Sequence, residues 1–400
     1  MLDAGCGAPH SQCMRGWAIV IAYGLMSAMV QVLWLTYAAF TSDAAVHFGV
    51  SESAVVWLAN VLPLLYIVLG LPSGMLLDRW FRSTLALAGG LTALGACVRL
   101  FDGYGPVLAG QLLIAIAQPF VLNAVSKLAD AYLPREQRAA GIAVGASSGF
   151  VGMLAGLLLG GMLGVDGLTT LHVIGAVGSV AAAVLLAFLL RTPPADGVSE
   201  TRVTLASLRA LVALPSMKLI GSAVFFAFGL FIALTATMEV LLKPHGVDTD
   251  SVGLILAAMV VAGIVGSAII PTRVARLNTQ RPVLIATMTI AALGCLALAI
   301  APGELTAWLV AIIVGFPLLA SLPIVLELTE QIVGEAGGST GAAYIYIIGN
   351  AGGIVLSLIV DPALDHAAIA FAIFALAAAA AAVIASRLPR TVKAEPVLSA

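Results

Sequence analysis

Apolar residues run along this chain in long unbroken stretches, not in alternation. Twelve such stretches stand out, at 17–41, 54–77, 84–101, 106–131, 139–163, 168–190, 217–241, 251–274, 282–301, 305–328, 338–360 and 366–386. Each is close to the roughly 20 residues a helix needs to cross the hydrocarbon of a bilayer. Continuous runs predict helices, because lipid offers backbone groups no outside hydrogen-bond partner and a barrel would need period-two alternation. Ser42-Asp43, Asp78-Arg79, Pro134-Arg135-Glu136 and Pro302-Gly303-Glu304 punctuate the runs. The first run is longer than the roughly 7–15 apolar residues of a signal peptide and is followed by others, so it counts as a span.

Charge placement sets the orientation. With the N-terminus in the cytoplasm and the loops alternating, all 18 Lys and Arg fall on the cytoplasmic side except Arg99 and Lys243. The 20 acidic residues divide evenly on the same map, as expected if only basic residues carry the signal. A missed span would scramble this result, so both termini are expected in the cytoplasm.

The longest break between spans carries Pro193-Pro194 and Asp196-Gly197 and reads as a cytoplasmic linker. The expected division is a tail at 1–16, a six-helix bundle at 17–190, the linker at 191–216, a second bundle at 217–386 and a tail at 387–400. Residues 201–214 suit a short helix on the membrane surface. The bundles echo each other: Arg82 precedes Ala93-Leu94-Gly95 as Arg281 precedes Ala292-Leu293-Gly294, at a constant offset. A 6+6 repeat around a midpoint linker is a common transporter plan, with the substrate site between the halves.

Composition narrows the class. Hydrophobic residues make up 61% and charged residues 10%, against about 25% charged in soluble domains. Mean hydropathy is +1.11. A soluble enzyme or a disordered chain is excluded, and a net charge of −2 leaves no basic footprint for nucleic acid. The expectation is a multi-pass protein of a bacterial inner membrane or a plasma membrane, monomeric, with lipid and a small solute as its partners. The four cysteines, Cys6, Cys13, Cys97 and Cys295, have no metal-type spacing and read as small apolar filler.

The loop after span 2 reads Gly74-Met75-Leu76-Leu77-Asp78-Arg79-Trp80-Phe81-Arg82. It resembles the Gly-x-Leu-x-Asp-Arg-x-Gly-Arg signature of the major facilitator superfamily, with Phe81 where the signature has Gly. The resemblance implies an all-α membrane protein of twelve helices in two six-helix bundles. It also implies that Gly74, Asp78, Arg79 and Arg82 latch a cytoplasmic gate. Gly74 would admit a neighbouring helix, and Asp78 would sit against a helix N-terminus. An ordinary charged loop obeying the positive-inside rule is the alternative. Small residues recur every four positions at Gly141, Gly145 and Gly149; Gly152, Gly156 and Gly160; Ala258, Ala262 and Gly266; Gly70 and Gly74; and Gly349 and Gly353. In the superfamily, spans 5 and 8, and spans 2 and 11, meet across the halves. The ladders suit either that sliding contact or static packing within one half.

Inside the spans, polar residues are mostly neutral: Gln31, Asn60, Gln118, Asn123, Ser147, Ser148 and Asn350. They read as interhelical hydrogen bonds or as cavity lining. Glu239, toward the outer end of span 7, is the nearest candidate for a proton site, since intramembrane charge is costly and usually functional. Trp34 and Tyr37 are three apart and share a helical face with Gln31. Tyr66, Phe231, Tyr344 and Tyr346 lie within spans 2, 7 and 11. Aromatic rings without a counter-charge suit an ammonium ion through cation–π attraction of ~1–2 kcal/mol; an interfacial belt is the alternative. Pro63, Pro119, Pro271, Pro317 and Pro323 interrupt spans 2, 4, 8 and 10 and permit bends. There is no catalytic constellation, so no enzyme activity, metal or cofactor is expected.

Trp34-Leu35-Thr36-Tyr37 resembles the Trp-x-x-Tyr pattern of the feline leukaemia virus subgroup C receptor family. Similar stretches are Gly110-Gln111 with Ala117-Gln118, Gly253 with Val260-Val261-Ala262-Gly263-Ile264-Val265-Gly266, and Glu327-Leu328-Thr329 with Gly338-Ser339-Thr340. That family carries choline and ethanolamine, with haem export also attributed to it. The resemblance implies a carrier with Trp34 as an ammonium-stacking ring. Ser147 stands where the family has a substrate-contacting Gln, and its shorter side chain cannot make the same contact. Phe150 follows Gly149 where the drug-antiporter motif has Pro. The function expected is therefore alternating-access transport of a small amine or zwitterion, facilitated or weakly coupled. Candidate contacts are Gln31, Trp34, Tyr37, Asn60, Tyr66, Gln118, Ser147, Phe231, Tyr344 and Asn350. Proton-driven efflux through Glu239 is the second expectation, and a non-transporting receptor or sensor is a third.

Overall fold

A computed structural model describes residues 10–193, 205–277, 279–333 and 338–388. Most of the N-terminal tail with Cys6, the middle of the linker with Arg202, and nearly all of the C-terminal tail with Arg390 and Lys393 lie outside the described residues.

The chain is helical. In order come α1 (His10–Leu35), α2 (Thr41–Phe48), α3 (Glu52–Val98), α4 (Tyr104–Leu122), α5 (Val125–Tyr132), α6 (Arg135–Leu163) and α7 (Leu168–Leu189). Then follow α8 (Leu205–Ala213), α9 (Pro215–Leu242), α10 (Thr249–Leu277), α11 (Gln280–Ile300), α12 (Glu304–Val333), α13 (Gly338–Val360) and α14 (Ala367–Ala385). Among the described residues, eleven helices are long and apolar enough to cross a membrane. One of them, α3, has 47 residues and a non-helical Trp80 (φ −138°, ψ 55°). At about 1.5 Å per residue it is roughly 70 Å long, more than twice the ~30 Å hydrocarbon thickness. The loop expected after span 2 is thus reduced to a kink. No Gly or Pro lies between Met75 and Ser83 to break the helix further.

Other boundaries shift for identifiable reasons. The first span ends at Leu35, not 41, and the Ser42-Asp43 break instead opens α2. That helix stops at Gly49, which takes the left-handed conformation (φ 64°) and returns its N–H to the Val46 carbonyl. Span 4 is split. Pro119 lies inside the last turns of α4, which ends at Leu122; the Ala124 N–H then turns back three residues to Val121 O at 3.2 Å, and α5 follows. Asn123 at the break donates to Gly70 O (3.0 Å) and Ser73 Oγ (2.9 Å). Within the described part of 201–214, residues Leu205–Ala213 form the short helix α8.

Two compact units divide the chain. The first comprises Met1–Thr36, Val68–Gly156 and Asp166–Arg202; the second comprises Tyr37–Ile67, Leu157–Val165 and Val203–Ala400. In the first, α1 packs on α7, α4 and α5 around Tyr23, Met26, Val30, Leu85, Val121 and Leu128. In the second, α9 packs on α13 and α14, α10 on α12, and α11 on α14.

The small-residue ladders serve mainly static packing. A Cβ on Gly152 would lie 2.2 Å from the Ala28 carbonyl oxygen of α1, and one on Gly266 would lie 1.7 Å from Phe316 O of α12. Within the second unit, the helix pairs expected from the superfamily do meet. They meet at other residues: α6 and α10 at Gly161 and Gly253, and α3 and α13 at Asn60 and Ser357. Among the described residues, a Cβ on Gly74 would meet nothing within 4 Å. Gly152→Ala is expected to cost about 1–3 kcal/mol and Gly74→Ala almost nothing. Thermal unfolding of the two variants checks the contrast.

Candidate functional site

Within the second unit, three aromatic rings gather from three helices. Tyr66 of α3 lies 6.1 Å from Tyr346 of α13, and Phe228 of α9 lies 6.3 Å from Tyr346. Gly349 lets the Phe228 ring lie against α13, since a Cβ there would be 2.3 Å from Phe228 Cδ1. Further along α3 and α13, about 9 Å of helix from Tyr66 and about 16 Å from Tyr346, Ser357 Oγ donates to Asn60 Oδ1 at 3.1 Å. Asn60 is buried, and its Nδ2 has no hydrogen-bond partner among the described residues. Asn350 Nδ2 donates to Tyr346 O at 2.7 Å. Phe231 is buried one turn after Phe228.

Tyr344 lies elsewhere. Two residues before Tyr346 on a helix, it faces about 200° away. Its hydroxyl donates to Met217 O at 3.2 Å inside the hydrophobic core of this unit. Tyr37 stacks with Phe40 (5.6 Å) and Phe48 (6.2 Å). Because α1 ends at Leu35, the spacing of Trp34 and Tyr37 no longer puts them on one helical face.

In the first unit, Gln118 Nε2 donates to Gln31 Oε1 at 3.4 Å. Gly149 of α6 lies beside that glutamine. Ser147 is exposed on α6, whereas Ser148 turns toward Gly24 of α1. Trp34 is buried.

A charged cluster sits where α9 ends. Glu239 is fully buried (0% exposed). Its Oε2 accepts from Ser42 N (2.8 Å) and Ser42 Oγ (2.9 Å). Ser42 belongs to the first turn of α2, so a carboxylate from another helix caps that N-terminus. Lys243 Nζ stands 3.5 Å from Glu239 Oε1, an ion-pair distance without hydrogen-bond geometry. Lys243 also bonds Asp43, which accepts from Thr249 Oγ1 at 3.0 Å. Ser53 adds a bond to Asp361. Sequence reasoning misses Ser42, Ser53 and Ser357. Isolated serines near span ends carry no signal of their own, and only the fold pairs them.

The Gly74–Arg82 segment is held within the first unit. Asp78 pairs with Lys127, which lies in the first turn of α5. The Arg79 guanidinium lies 4.4 Å over the Trp80 ring. Arg82 donates to the carbonyls of Leu190 and Arg191 at the end of α7, satisfying carbonyls that a helix end leaves open. Tyr132 donates to Thr192 O at 3.2 Å; burial pushes its phenol up, against the opposing pull of Arg82. Arg281 donates to Ser386 O just past α14. Arg82 and Arg281, the pair that opens the sequence echo, thus do the same job within their own units.

Asp78 and Lys127 are each only 17% exposed. Lys127→Ala leaves Asp78 without its ammonium and is expected to cost about 1–2 kcal/mol. A double-mutant cycle with Asp78→Asn, read by thermal unfolding, isolates the pair.

The profile of the Major Facilitator Superfamily matches residues 17–357. The chain belongs to that superfamily. Solute carrier family 49 member A3 of Xenopus tropicalis is 26% identical over 364 residues, 83% of this chain and 74% of the relative. Choline/ethanolamine transporter FLVCR2 of Homo sapiens is 29% identical over 150 residues, 36% of this chain and 28% of the relative. Among solved structures, an auto inhibited POT family peptide transporter superposes with a TM-score of 0.73 at 13% identity. That match covers 94% of this chain and 98% of the other, and it speaks to fold alone. This Major Facilitator chain is a multi-pass membrane transporter whose relatives include the feline leukaemia virus subgroup C receptor family. Among its described residues, no group of three His, Cys, Asp or Glu is placed to hold a metal ion.

Proposed function

We propose that this protein moves a small amine or zwitterion across the membrane by alternating access, as facilitated or weakly coupled transport. The observation that carries the proposal is the neutral aromatic cluster of Tyr66, Tyr346 and Phe228, with Asn60 buried on the same helix as Tyr66. Ring faces attract an ammonium group without a fixed counter-charge, and an unused amide suits a substrate hydroxyl or carboxylate. Phe231 and Asn350 belong to the same proposal. So do Gln31, Gln118 and Trp34, the last as an ammonium-stacking ring, in keeping with the likeness to a choline/ethanolamine transporter. Tyr37, Tyr344 and Ser147 are assigned supporting roles away from the substrate.

The proposed topology counts the two arms of α3 as separate spans, giving twelve helices with both termini in the cytoplasm. The bundles are 17–190 and 217–386, joined by the linker 191–216. The protein works as a monomer in a plasma or bacterial inner membrane. Asp78, Arg79 and Arg82 order the cytoplasmic end, and Glu239, Lys243, Asp43 and Ser42 hold the opposite end.

Purified protein in proteoliposomes tests the function. Labelled choline and ethanolamine are expected to enter without a pH gradient and to raise the melting temperature. Failure of every amine to bind or cross would overturn the proposal. The burial of Glu239 favours a second reading, proton-driven efflux. It predicts transport that needs a pH gradient and is lost in Glu239→Gln.

A further inference from the structure

Arg99 lies at the outer end of span 3, one residue past the end of α3, yet it is 1% exposed. Burying a guanidinium is costly unless its donors are satisfied. Its partners show what the burial achieves. Arg99 Nη1 donates to Leu33 O at 3.1 Å and to Gln111 Oε1 at 3.2 Å. Gln111, itself fully buried, donates its Nε2 to the same Leu33 oxygen at 3.4 Å. Thr36 Oγ1 also reaches that oxygen, at 3.4 Å.

Leu33 lies in the last turn of α1, where carbonyls lose their helical partners and the helix dipole is negative. A cation with a glutamine beside it suits that end. The glycine preceding Gln111 makes room for it: a Cβ on Gly110 would lie 2.7 Å from Arg99 Cγ and 2.4 Å from Gly95 O. Leu33 C=O and Trp34 N–H belong to one planar peptide unit. Whatever orients the Leu33 carbonyl therefore orients the backbone of Trp34.

We infer that Arg99, braced by Gln111, is a positioning residue that clamps the Leu33 carbonyl where α1 ends and so sets the orientation of Trp34. The inference rests on the ammonium-binding role proposed for Trp34 only for its consequence in transport. The clamp itself is independent of the substrate.

The test uses the full chain in nanodiscs with Trp17, Trp57, Trp80 and Trp308 changed to Phe, so that Trp34 is the one tryptophan fluorophore. Arg99→Met, Arg99→Lys and Gln111→Leu are compared by emission maximum, acrylamide quenching, melting temperature and choline affinity. Arg99→Met and Gln111→Leu are expected to shift Trp34 emission and to raise its quenching about twofold. Arg99→Lys, which keeps the charge and loses the fork, should fall between. A matching protein that retains Trp17 instead should show no change. Choline affinity should weaken about fivefold or more in the same order. Should Arg99→Met not fold, the other two variants carry the test. Unchanged Trp34 emission and quenching in folded Gln111→Leu and Arg99→Lys overturns the inference, whatever the melting temperatures. A shifted Trp34 in a protein that never binds choline keeps the clamp and removes the amine proposal. Choline binding that is lost in Trp34→Phe, with Trp34 emission indifferent to Arg99 and Gln111, does the reverse.

Discussion

Glu239→Ala is expected to destabilise the protein by about 3 kcal/mol, the largest effect among these substitutions. The carboxylate is fully buried and accepts two hydrogen bonds from Ser42 at the first turn of α2. Removing it leaves an N-terminal backbone donor without its cap, typically about 1 kcal/mol. It also takes one of two carboxylates from Lys243, which keeps Asp43. Breaking a buried charged contact from one side commonly costs about 3–5 kcal/mol; the remaining Asp43 partner puts this case at the lower end. Glu239→Gln keeps an amide oxygen able to accept from Ser42 N, so its cost should be nearer 1 kcal/mol. Thermal unfolding in nanodiscs measures both. Uptake of an amine by Glu239→Gln should persist without a pH gradient. Equal destabilisation by Ala and Gln would show that the cap contributes little.

The second large effect is on binding. Tyr346→Ala removes the ring that contacts both Tyr66 and Phe228. Losing one cation–π face and the two ring contacts should cost about 2–3 kcal/mol, a roughly 30- to 150-fold weaker affinity for choline or ethanolamine. Tyr346→Phe retains the ring and should stay within a few-fold of the parent. Titration calorimetry or a radioligand assay separates the two. An equally large loss in Tyr346→Phe would mean that the hydroxyl, not the ring face, holds the substrate.

Much of the fold is legible in the chain because lipid imposes one requirement on every span. Long apolar runs must be helices, and the longest gap must be a linker. Helix ends are less legible. Span 1 stops at Leu35 and span 4 breaks at Asn123. An apolar run says where a helix is tolerated, not where another side chain will satisfy its last carbonyls. The loop after span 2 survives only as the Trp80 kink, since its charges find Lys127 and the carbonyls ending α7 and so need not leave the helix.

At the candidate site the division is similar. Tyr66, Asn60 and Phe231 are visible as polar or aromatic residues inside apolar runs. Tyr344 and Tyr346 look alike in sequence, yet a turn of about 200° sends one into the core and the other toward Tyr66. Arg99 shows the same limit. Its charge points to a loop, and only Leu33 and Gln111, 66 and 12 residues away in sequence, explain its burial.

By itself, then, the sequence determines a helical multi-pass membrane protein, because hydrocarbon solvent and charge bias act on each segment separately; the Major Facilitator plan enters through the resemblance of the Gly74–Arg82 segment. Which residues share a hydrogen bond or a ring contact was decided by tertiary structure alone. Pairs such as Ser42 with Glu239, or Asn60 with Ser357, join positions about 200 to 300 residues apart. Such pairs leave no periodic trace in either segment, since a single polar atom needs a partner only once the fold has taken it out of water.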